Sequence, residues 1–458
     1  MSVRVAVVGG GVSGLTAAYA LRRALGAEAL VEVFEATDRL GGLLHTPLIG
    51  GLPVDVGAEA FIVRRPEASA LVAELGLAEH VCAPGPLRPA LWSGDGLHPL
   101  PTPAVMGIPT GPGSLGDLVD ERVRATITDE ALRDWSWDPG TPISVGALVR
   151  DRFGDEVVAR SVDPMLGGVY SARADQLGLV ETIPGLARAL DAGAPSLTAA
   201  VTGLSVAAAQ NSGPVFGALR GGYRTLVEAL RAASGALVRI GARVVAIDAD
   251  GPGYTVTDAD GAAASYDAVI VAVPPWQAGP MLTSVAADAA AALSAVQAAG
   301  SAVVACVLAP GAVLPDHSGV LVATDADLAM KAVTLSTQKW PHLAEAGPPV
   351  LRVSFGRLGE PVTMTDDLLV AAALADLARV FAAAGLPAPV PESVAVQRWP
   401  TGLPHFAPGH LAAMATALDQ LPAGVALAGA AVDGVGVPAC IGAARRAADR
   451  IVADLTDS

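Results

Sequence analysis

The clearest chemistry in the sequence lies in a glycine-rich turn, 9–14, and in a single acid, Glu35, placed 21 residues after the last glycine of that turn. An apolar β-branched run, 3–8, precedes the turn, a helical stretch, 15–25, follows it, and a second apolar run, 30–34, ends at the acid. This is the strand–GxGxxG–helix–strand–acid layout of a dinucleotide-binding βαβ unit. Backbone N–H groups of the turn would bind a pyrophosphate at the N-terminus of the helix, and Glu35 would accept hydrogen bonds from ribose hydroxyls. The turn residues predicted to contact the cofactor are Gly9, Gly10, Gly11, Val12, Ser13 and Gly14.

A second glycine-rich stretch, Ala36–Gly42, follows Glu35 directly and narrows the kind of dinucleotide. Its glycine pair allows another close approach of the backbone to a ligand, and Arg39 can face a phosphate. The stretch resembles the extended fingerprint of the FAD-binding amine-oxidase superfamily, which nicotinamide dehydrogenases usually lack. FAD is therefore the expected cofactor.

Composition restricts the class of protein. The 458 residues, 52% of them hydrophobic, are enough for two or three domains around a large core. The net charge of −16 argues against a nucleic-acid partner and against electrostatic docking on acidic lipid. The longest charge-free windows, 192–219 and 289–315, are interrupted by Gly, Pro and polar residues, so no transmembrane segment is expected. Because the βαβ unit begins almost at Met1, no signal peptide is expected either.

The reactive and cationic residues are few. Cys82, Cys306 and Cys440 lie far apart and form no CxxC pair, no zinc spacing and no disulfide framework, so we expect no metal site, free thiols and a reducing cytoplasm. Lys331 and Lys339 are the only two lysines, which leaves nearly every cationic role to arginine.

The order of patterns along the chain predicts an α/β fold with a Rossmann-like FAD-binding domain, a sheet-based substrate domain and a helical insertion. The segments assigned to the FAD-binding domain are 1–75, 221–275 and 395–458. The segments assigned to the substrate-binding domain are 76–113 and 276–394. Helical periodicity assigns 114–220 to the insertion, with Arg152 on a polar helix face. Within the FAD-binding domain, 238–247 is predicted to be one strand, with a backbone edge near Val244 where an adenine could lie.

Longer blocks are more specific than the fingerprint. They are GAEAFIVRRPEASALVAELGL, LHPLP, GDEVVARSVDPMLGGVYSA and AGAAVDGVGVPACIGAARRAA. Together they resemble the oxygen-dependent porphyrinogen oxidases of haem biosynthesis, and the resemblance extends from the N-terminus to about Ile451. The soluble Gram-positive branch of that family is nearest, since its members are similar to this chain in having MGIP after the hairpin and Tyr in GVY. That branch oxidises coproporphyrinogen III to coproporphyrin III, whereas the other branch oxidises protoporphyrinogen IX to protoporphyrin IX.

The resemblance implies a set of flavin contacts beyond the first turn. It also places Trp399 near the flavin. Relatives with covalently attached flavin carry a cysteine around the Arg398-Trp399 segment, and none is present here, so FAD is expected to be non-covalent. The further cofactor contacts that the resemblance implies are Glu35, Ala36, Arg39, Gly42, Leu43, Gly57, Ala58, Glu59, Ala60, Val244, Val435, Gly436 and Val437.

Substrate contacts are expected mainly from arginine. Arg64 and Arg65 stand at a helix N-terminus, where cations are disfavoured, so they require an anionic partner. The family position that matches Arg65 is a basic residue implicated in substrate binding. Tyr170, in GVY, is a candidate pocket residue, and a place in the core is an equal alternative for it.

No catalytic acid or base is assigned, because the seven histidines are scattered and no Ser-His-Asp or Cys-His pattern is present. A porphyrinogen becomes a porphyrin by losing six hydrogens, so the resemblance implies three two-electron rounds with oxygen reduced to peroxide, and the flavin carries this chemistry. The alternatives are a protoporphyrinogen IX oxidase, another flavin oxidase acting on an amine or a polyene, and a non-enzymatic binding protein on the same fold. The sequence leaves open the oligomeric state, peripheral membrane contact and docking to a ferrochelatase.

Overall fold

A five-stranded parallel sheet forms the centre of the first structural unit in the computed structural model, which describes residues 2–210 and 213–457. The apolar runs predicted to be strands are adjacent and parallel in it, with Val8 opposite Phe34. Their side chains are buried on both faces, which explains why these runs are continuously apolar rather than alternating. In spatial order the strands are Leu237–Ile240, Leu30–Glu35, Arg4–Val8, Ala268–Val271 and Val425–Leu427.

Two long helices cover one face of this sheet. The first helix, Val12–Leu25, packs along the final helix, Val437–Thr456, and small buried residues such as Ala17 and Ala444 allow their close approach. Neither helix has a side-chain cap or an acidic residue in its first turn. Both N-termini therefore keep backbone N–H groups for another partner.

The single strand predicted over 238–247 is two strands. Gly241 adopts φ +75° and separates Leu237–Ile240, in the parallel sheet, from Val244–Asp250, which begins a three-stranded antiparallel sheet. The other two strands of that sheet are Gly253–Asp258 and Ala263–Tyr266.

A seven-stranded sheet builds the second unit. Its longest pair joins the antiparallel strands Ala298–Leu308 and Pro391–Pro404, and the helix Asp366–Ala383 packs against the sheet through Leu369, Leu377 and Phe381. In spatial order its strands are Pro391–Pro404, Ala298–Leu308, Val350–Phe355, Ala332–Thr334, Gly319–Val322, Ala90–Ser93 and Gly96–Pro99.

All elements between 112 and 209 are helical, and they enclose a large apolar core. Arg152, expected on a polar helix face, is buried there instead, with its Nε 2.9 Å from Oε1 of the buried Glu130. The elements are Pro112–Leu118, Glu121–Thr128, Glu130–Leu132, Val145–Phe153, Asp155–Val157, Val158–Val162, Asp163–Tyr170, Ala174–Gln176, Leu179–Thr182, Pro184–Asp191 and Leu197–Ala209.

Short elements join these units. Leu48–Ile49 and Leu52–Pro53 form the predicted hairpin, whose turn residues Gly50 and Gly51 both have positive φ. Within the described residues, no helix combines the length and apolarity needed to cross a membrane. The remaining strands are Phe61–Ile62, Val81–Cys82, Ala104–Val105, Ile108–Pro109 and Phe216–Leu219. The remaining helices are Pro66–Glu74, Ala78–His80, Arg224–Ser234, Pro275–Leu282, Ala287–Ser294, Ser336–Lys339, Pro341–Ala346, His410–Asp419 and Ala430–Asp433.

Candidate cofactor and substrate site

The turn between the first strand and the first helix needs its glycines for two different reasons. A Cβ on Gly14 would lie 1.8 Å from the carbonyl oxygen of Gly9, and Gly9 itself has φ +110°. These two residues therefore shape the turn. A Cβ on Gly11 would meet nothing nearer than the Cα of Gly42, 3.9 Å away, so Gly11 leaves open space at the N-terminus of the helix.

Glu35 is fixed beside this turn. Its Oε2 accepts a hydrogen bond from the backbone N–H of Gly10 at 2.9 Å, and its Oε1 accepts from the N–H and Oγ of Thr37 at 2.8 and 2.7 Å. A carboxylate has about four acceptor positions, so capacity for ribose hydroxyls remains. Ala36 lies between the acid and Thr37, and is partly exposed.

The second glycine-rich stretch lies against the first. The N–H of Gly41 donates to the carbonyl oxygen of Gly10 at 2.8 Å, so the two loops run side by side. Arg39 donates from Nη2 to the carbonyl oxygen of Gly42 at 2.8 Å, and its guanidinium lies 5.8 Å from the ring centre of Trp399.

Four residues from distant parts of the sequence lie together near Arg39: Leu43, Gly57, Ala58 and Trp399. The N–H of Ala58 donates to the carbonyl oxygen of Leu43 at 3.2 Å, and a Cβ on Gly57 would lie 1.8 Å from that same oxygen. Trp399 donates from Nε1 to the carbonyl oxygen of Val56 at 3.0 Å. Its Cζ2 lies 3.2 Å from the position of a Cβ on Gly57, so the ring covers this segment directly.

Glu59 is the anchor of the same segment, with Ala60 leading from it into the strand Phe61–Ile62. Its carboxylate lies 3.1 Å from Nζ of Lys339 and 3.3 Å from Nη1 of Arg352, and it accepts a hydrogen bond from Ser336 at 2.8 Å. Burial alone would raise the pKa of Glu59, but the two cations and the hydroxyl hold that pKa at about 2. The carboxylate is therefore ionised and fully paired.

Val244 lies close to Glu35, although 209 residues separate them. The N–H of Ala242 donates to the carbonyl oxygen of Glu35 at 2.9 Å, and the N–H of Gly241 donates to that of Thr37 at 3.0 Å. Val244 itself is buried at the start of its strand.

The final helix brings the last predicted cofactor residues to the site. Gly436 is its N-cap, Val437 is its first residue, and Val435 precedes both. Burial raises the pKa of the thiol of Cys440, one turn into this helix, to about 11, and nearby Ser13 of the first helix opposes part of that rise. The uncapped N-termini of two long helices thus meet, which is a favourable place for anionic phosphates.

The two arginines predicted to bind substrate differ in their contacts. Arg65 pairs through Nη2 with Glu67 at 2.6 Å, and 45% of its side chain is exposed. Arg64 donates from Nη2 to the carbonyl oxygen of Gly213 at 2.9 Å. An anionic partner for Arg65 is therefore present within the chain.

Tyr170 ends the helix Asp163–Tyr170, and its ring centre lies 6.0 Å from that of Phe406. The ring centre of Phe406 lies 4.5 Å from that of His410, with the two rings tilted by 52°. Nε2 of His410 lies 2.8 Å from the carbonyl oxygen of Ala431. Val435 packs on the same apolar cluster as Tyr170, which connects the helical segment to the N-terminus of the final helix. Burial lowers the pKa of His410.

Residues 12–452 match the family model described as flavin containing amine oxidoreductase. The chain belongs to this family. The predicted membership of the flavin-containing amine-oxidase superfamily is thereby confirmed.

The chain is 46% identical over 448 residues, which are 97% of this chain and 96% of the relative, to coproporphyrinogen III oxidase of Mycobacterium tuberculosis strain H37Rv. It is 29% identical to coproporphyrinogen III oxidase of Bacillus subtilis, with 95% of each chain covered. A solved structure from Exiguobacterium, named a candidate protoporphyrinogen oxidase, superposes with a TM-score of 0.88 at 28% identity and covers 99% of both chains.

The arrangement fits the flavin dinucleotide expected of a flavin-containing amine oxidoreductase. Gly11 leaves open space beside an uncapped helix N-terminus. The carboxylate of Glu35 lies beside the same turn, where it accepts a hydrogen bond from the N–H of Gly10. Arg39, Leu43, Gly57 and Trp399 lie next to one another, on the same side of this turn as Gly42.

Sequence reasoning missed the cations of the second unit. Arg352 and Lys339 pair with Glu59, while Lys331 and Arg357 lie where the seven-stranded sheet meets the helical segment. One signal was available: only two lysines occur in the chain, and both are at these positions.

Proposed function

We propose that this protein oxidises coproporphyrinogen III to coproporphyrin III, with non-covalently bound FAD and with molecular oxygen as the electron acceptor. The observation that carries the proposal is the 46% identity, over nearly the full length of both chains, to a coproporphyrinogen III oxidase. The balanced reaction removes six hydrogens from one porphyrinogen and converts three molecules of oxygen to three of hydrogen peroxide. The flavin, when bound, accepts two electrons in each of three rounds.

The protein's own residues then have binding and positioning roles. Gly9–Gly14 and the N-cap Gly436 would present backbone N–H groups to the pyrophosphate, Arg39 would face a phosphate, and Glu35 would accept hydrogen bonds from the ribose. Val244 would lie near the adenine, and Leu43, Gly57–Ala60 and Trp399 would contact the flavin. The cofactor is held by the segments 1–75, 221–275 and 395–458. The substrate is enclosed by the substrate-binding domain, 76–113 and 276–394, and by the helical insertion, 114–220. The cytoplasmic location stays a prediction.

Arg65 is proposed to face a propionate of the substrate, with a lesser role for Arg64 and with Tyr170 in the pocket wall. Coproporphyrinogen III carries four propionates, and protoporphyrinogen IX carries two propionates and two vinyl groups. A chain with a net charge of −16 needs local cations to offset the repulsion and desolvation of four carboxylates. Arginine supplies those cations with fixed geometry.

The test is an aerobic assay of the purified holoprotein on both porphyrinogens, followed by porphyrin fluorescence and peroxide release. We expect a yellow protein that releases FAD on denaturation, a higher kcat/KM on coproporphyrinogen III, and three peroxides per porphyrin. A strict requirement for NAD(P) or a quinone would place the protein in a dehydrogenase class.

Protoporphyrinogen IX is the second candidate substrate, because the Exiguobacterium protein that superposes so well carries that name. A wild type that is faster on protoporphyrinogen IX would support it. A colourless protein that takes up no flavin would favour a non-enzymatic binding role instead.

A further inference from the structure

A group of charged side chains lies at the junction of the helical segment and the seven-stranded sheet, outside the residues predicted to bind substrate. We call it the junction cluster. Its members are Arg173, Lys331, Arg357 and Glu360, with the buried Asp163 nearby. Two arginines and a lysine thus lie close to two carboxylates.

Lys331 is buried and has only neutral partners. Its Nζ donates to Oγ of Ser171 at 2.6 Å and to the carbonyl oxygen of Gly356 at 2.9 Å. Within residues 2–210 and 213–457, no carboxylate comes within 4.0 Å of it. Burial and the nearby guanidinium of Arg357 lower the pKa of Lys331 to about 7. The lysine therefore ties Ser171, at the end of the Tyr170 helix, to the loop that carries Arg357.

Arg357 is incompletely paired although only 11% of its side chain is exposed. Its Nη1 lies 3.5 Å from Oε2 of Glu360, and Glu360 has a closer partner in Arg173, at 2.6 Å. The buried Nε of Arg357 has no hydrogen-bond partner in the part of the chain that the structure describes. A guanidinium edge of this kind matches the two oxygens of a carboxylate.

Arg357 lies beside the helix that ends at Tyr170, the candidate pocket residue. Its Nε lies 3.7 Å from where a Cβ on Gly167 would be, in the helix that ends at Tyr170. On the same helix the side chain of Val169 is 45% exposed.

The loop of Arg357 also adjoins the strand of Trp399. A Cβ on Gly356 would meet the carbonyl oxygen of Gly300 at 2.9 Å and the Cα of Ser301 at 3.2 Å. Ser301 stands opposite Trp399 in the strand pairing. Arg357 therefore lies between the helix of Tyr170 and the strand whose tryptophan covers the predicted flavin segment.

We propose that Arg357 binds a propionate carboxylate of the porphyrinogen, and that Lys331 holds Ser171 and Gly356 so that the guanidinium faces the pocket. The inference rests on the proposed function, and it adds a second carboxylate contact to the one assigned to Arg65. Arg357 is the less exposed of the two, and its contact with Glu360, at 3.5 Å, is longer than the 2.6 Å contact between Arg65 and Glu67. A carboxylate bound there replaces water with a charged hydrogen bond in a poorly solvated place.

The test compares an acid with its ester. Binding of coproporphyrin III and of its tetramethyl ester, both in the same mild detergent, is measured by porphyrin fluorescence, and KM is measured on the two corresponding porphyrinogens. For Arg357→Leu we expect the Kd and KM of the acid to rise by about tenfold or more, as for the loss of a charged hydrogen bond, and those of the ester to stay unchanged. Lys331→Met should also raise the Kd and KM of the acid.

Two further variants keep the result decisive. Arg357→Lys keeps the charge and loses the bidentate edge, so the Kd and KM of the acid should rise by a smaller factor than in Arg357→Leu. If the leucine variant loses its flavin, the lysine variant decides the question. Arg379→Leu removes an arginine that is paired with Asp95 elsewhere on the same unit, and it should leave the Kd and KM of both the acid and the ester unchanged. Unchanged or equal effects on acid and ester would overturn the inference. A wild type that oxidises neither porphyrinogen would instead contradict the proposed function itself.

Discussion

Arg352 donates a hydrogen bond from Nη2 to the carbonyl oxygen of Gly57 at 2.6 Å, and this contact joins the seven-stranded sheet to the segment predicted to lie against the flavin. The same guanidinium pairs with Glu59, two residues further along that segment. A backbone carbonyl and a carboxylate of one loop are thus held by a single buried side chain. The orientation of 57–60 depends on the second unit as well as on the first.

Glu59→Gln should strongly destabilise the protein. The substitution leaves the buried Arg352 and the partly buried Lys339 without their carboxylate, which costs about 3–5 kcal/mol. The pKa of Glu59 is about 2, below its ordinary value of 4.5, so its contribution is present above that ordinary value and is lost as the pH falls from about 4.5 towards 2. Urea unfolding at pH 7 and at low pH measures both effects. Glu345→Gln, which removes an exposed partner of Arg220, should change stability by less than about 1 kcal/mol.

Asp55→Asn should stabilise the protein at alkaline pH. Burial raises the pKa of Asp55 from 3.8 to about 6, so the folded state favours the protonated form, and the stability present below pH 4 is lost as the pH rises through 6. Both of its hydrogen bonds, from Thr46 and from the N–H of Tyr223, go to Oδ1, which asparagine can replace. We expect a gain on the order of 2–3 kcal/mol at pH 8 and little change at pH 4. Thermal unfolding at the two pH values tests this, and the exposed Asp248→Asn serves as the control; a loss of stability at pH 8 would contradict the expectation.

Gly11→Val should abolish flavin binding without unfolding the protein. The new side chain finds no protein atom nearer than 3.9 Å to its Cβ, yet it occupies the open space beside the helix N-terminus where a pyrophosphate would bind. Flavin absorbance should be lost while the far-ultraviolet circular dichroism spectrum persists. Gly203→Val also enters open space, in a helix away from the site, and should keep its flavin. A yellow Gly11→Val protein would remove the basis for this placement.

Arg65→Ala should raise KM for coproporphyrinogen III more than for protoporphyrinogen IX. The first substrate carries twice as many carboxylates, and the change removes a cation while leaving Glu67 unpaired, so the local potential becomes more negative. Because the arginine is well exposed, we expect a factor of about two to five in KM and no change in FAD content. Steady-state kinetics on both substrates test it, with Arg23→Ala, another exposed arginine paired with a glutamate, as the matched control. Equal losses on the two porphyrinogens would leave Arg65 without a role in the choice between them.

The βαβ unit at the N-terminus could be predicted from the sequence alone, and the structure contains it. The glycines of 9–14 and the acid Glu35 are readable because they act through local geometry, in which a turn, a helix start and a strand end follow one another within 35 residues. The hairpin at 48–53 was readable for the same reason, since Gly50 and Gly51 supply the positive φ that its turn requires. A turn or a helix start depends mainly on the residues that form it, so it can be predicted from a short stretch of sequence.

The partners of the charged side chains became known only from the folded structure. Arg152 fits a polar helix face by its spacing, but Glu130 lies opposite it across the helical core and buries the pair. The strand predicted over 238–247 is broken at Gly241, because Ile240 already lies opposite Glu35, the last residue of the neighbouring strand, and the chain then enters another sheet. Arg352 meets Gly57 from 295 residues away. A long-range pairing depends on how separate elements dock, and the spacing of residues within either element carries no record of it.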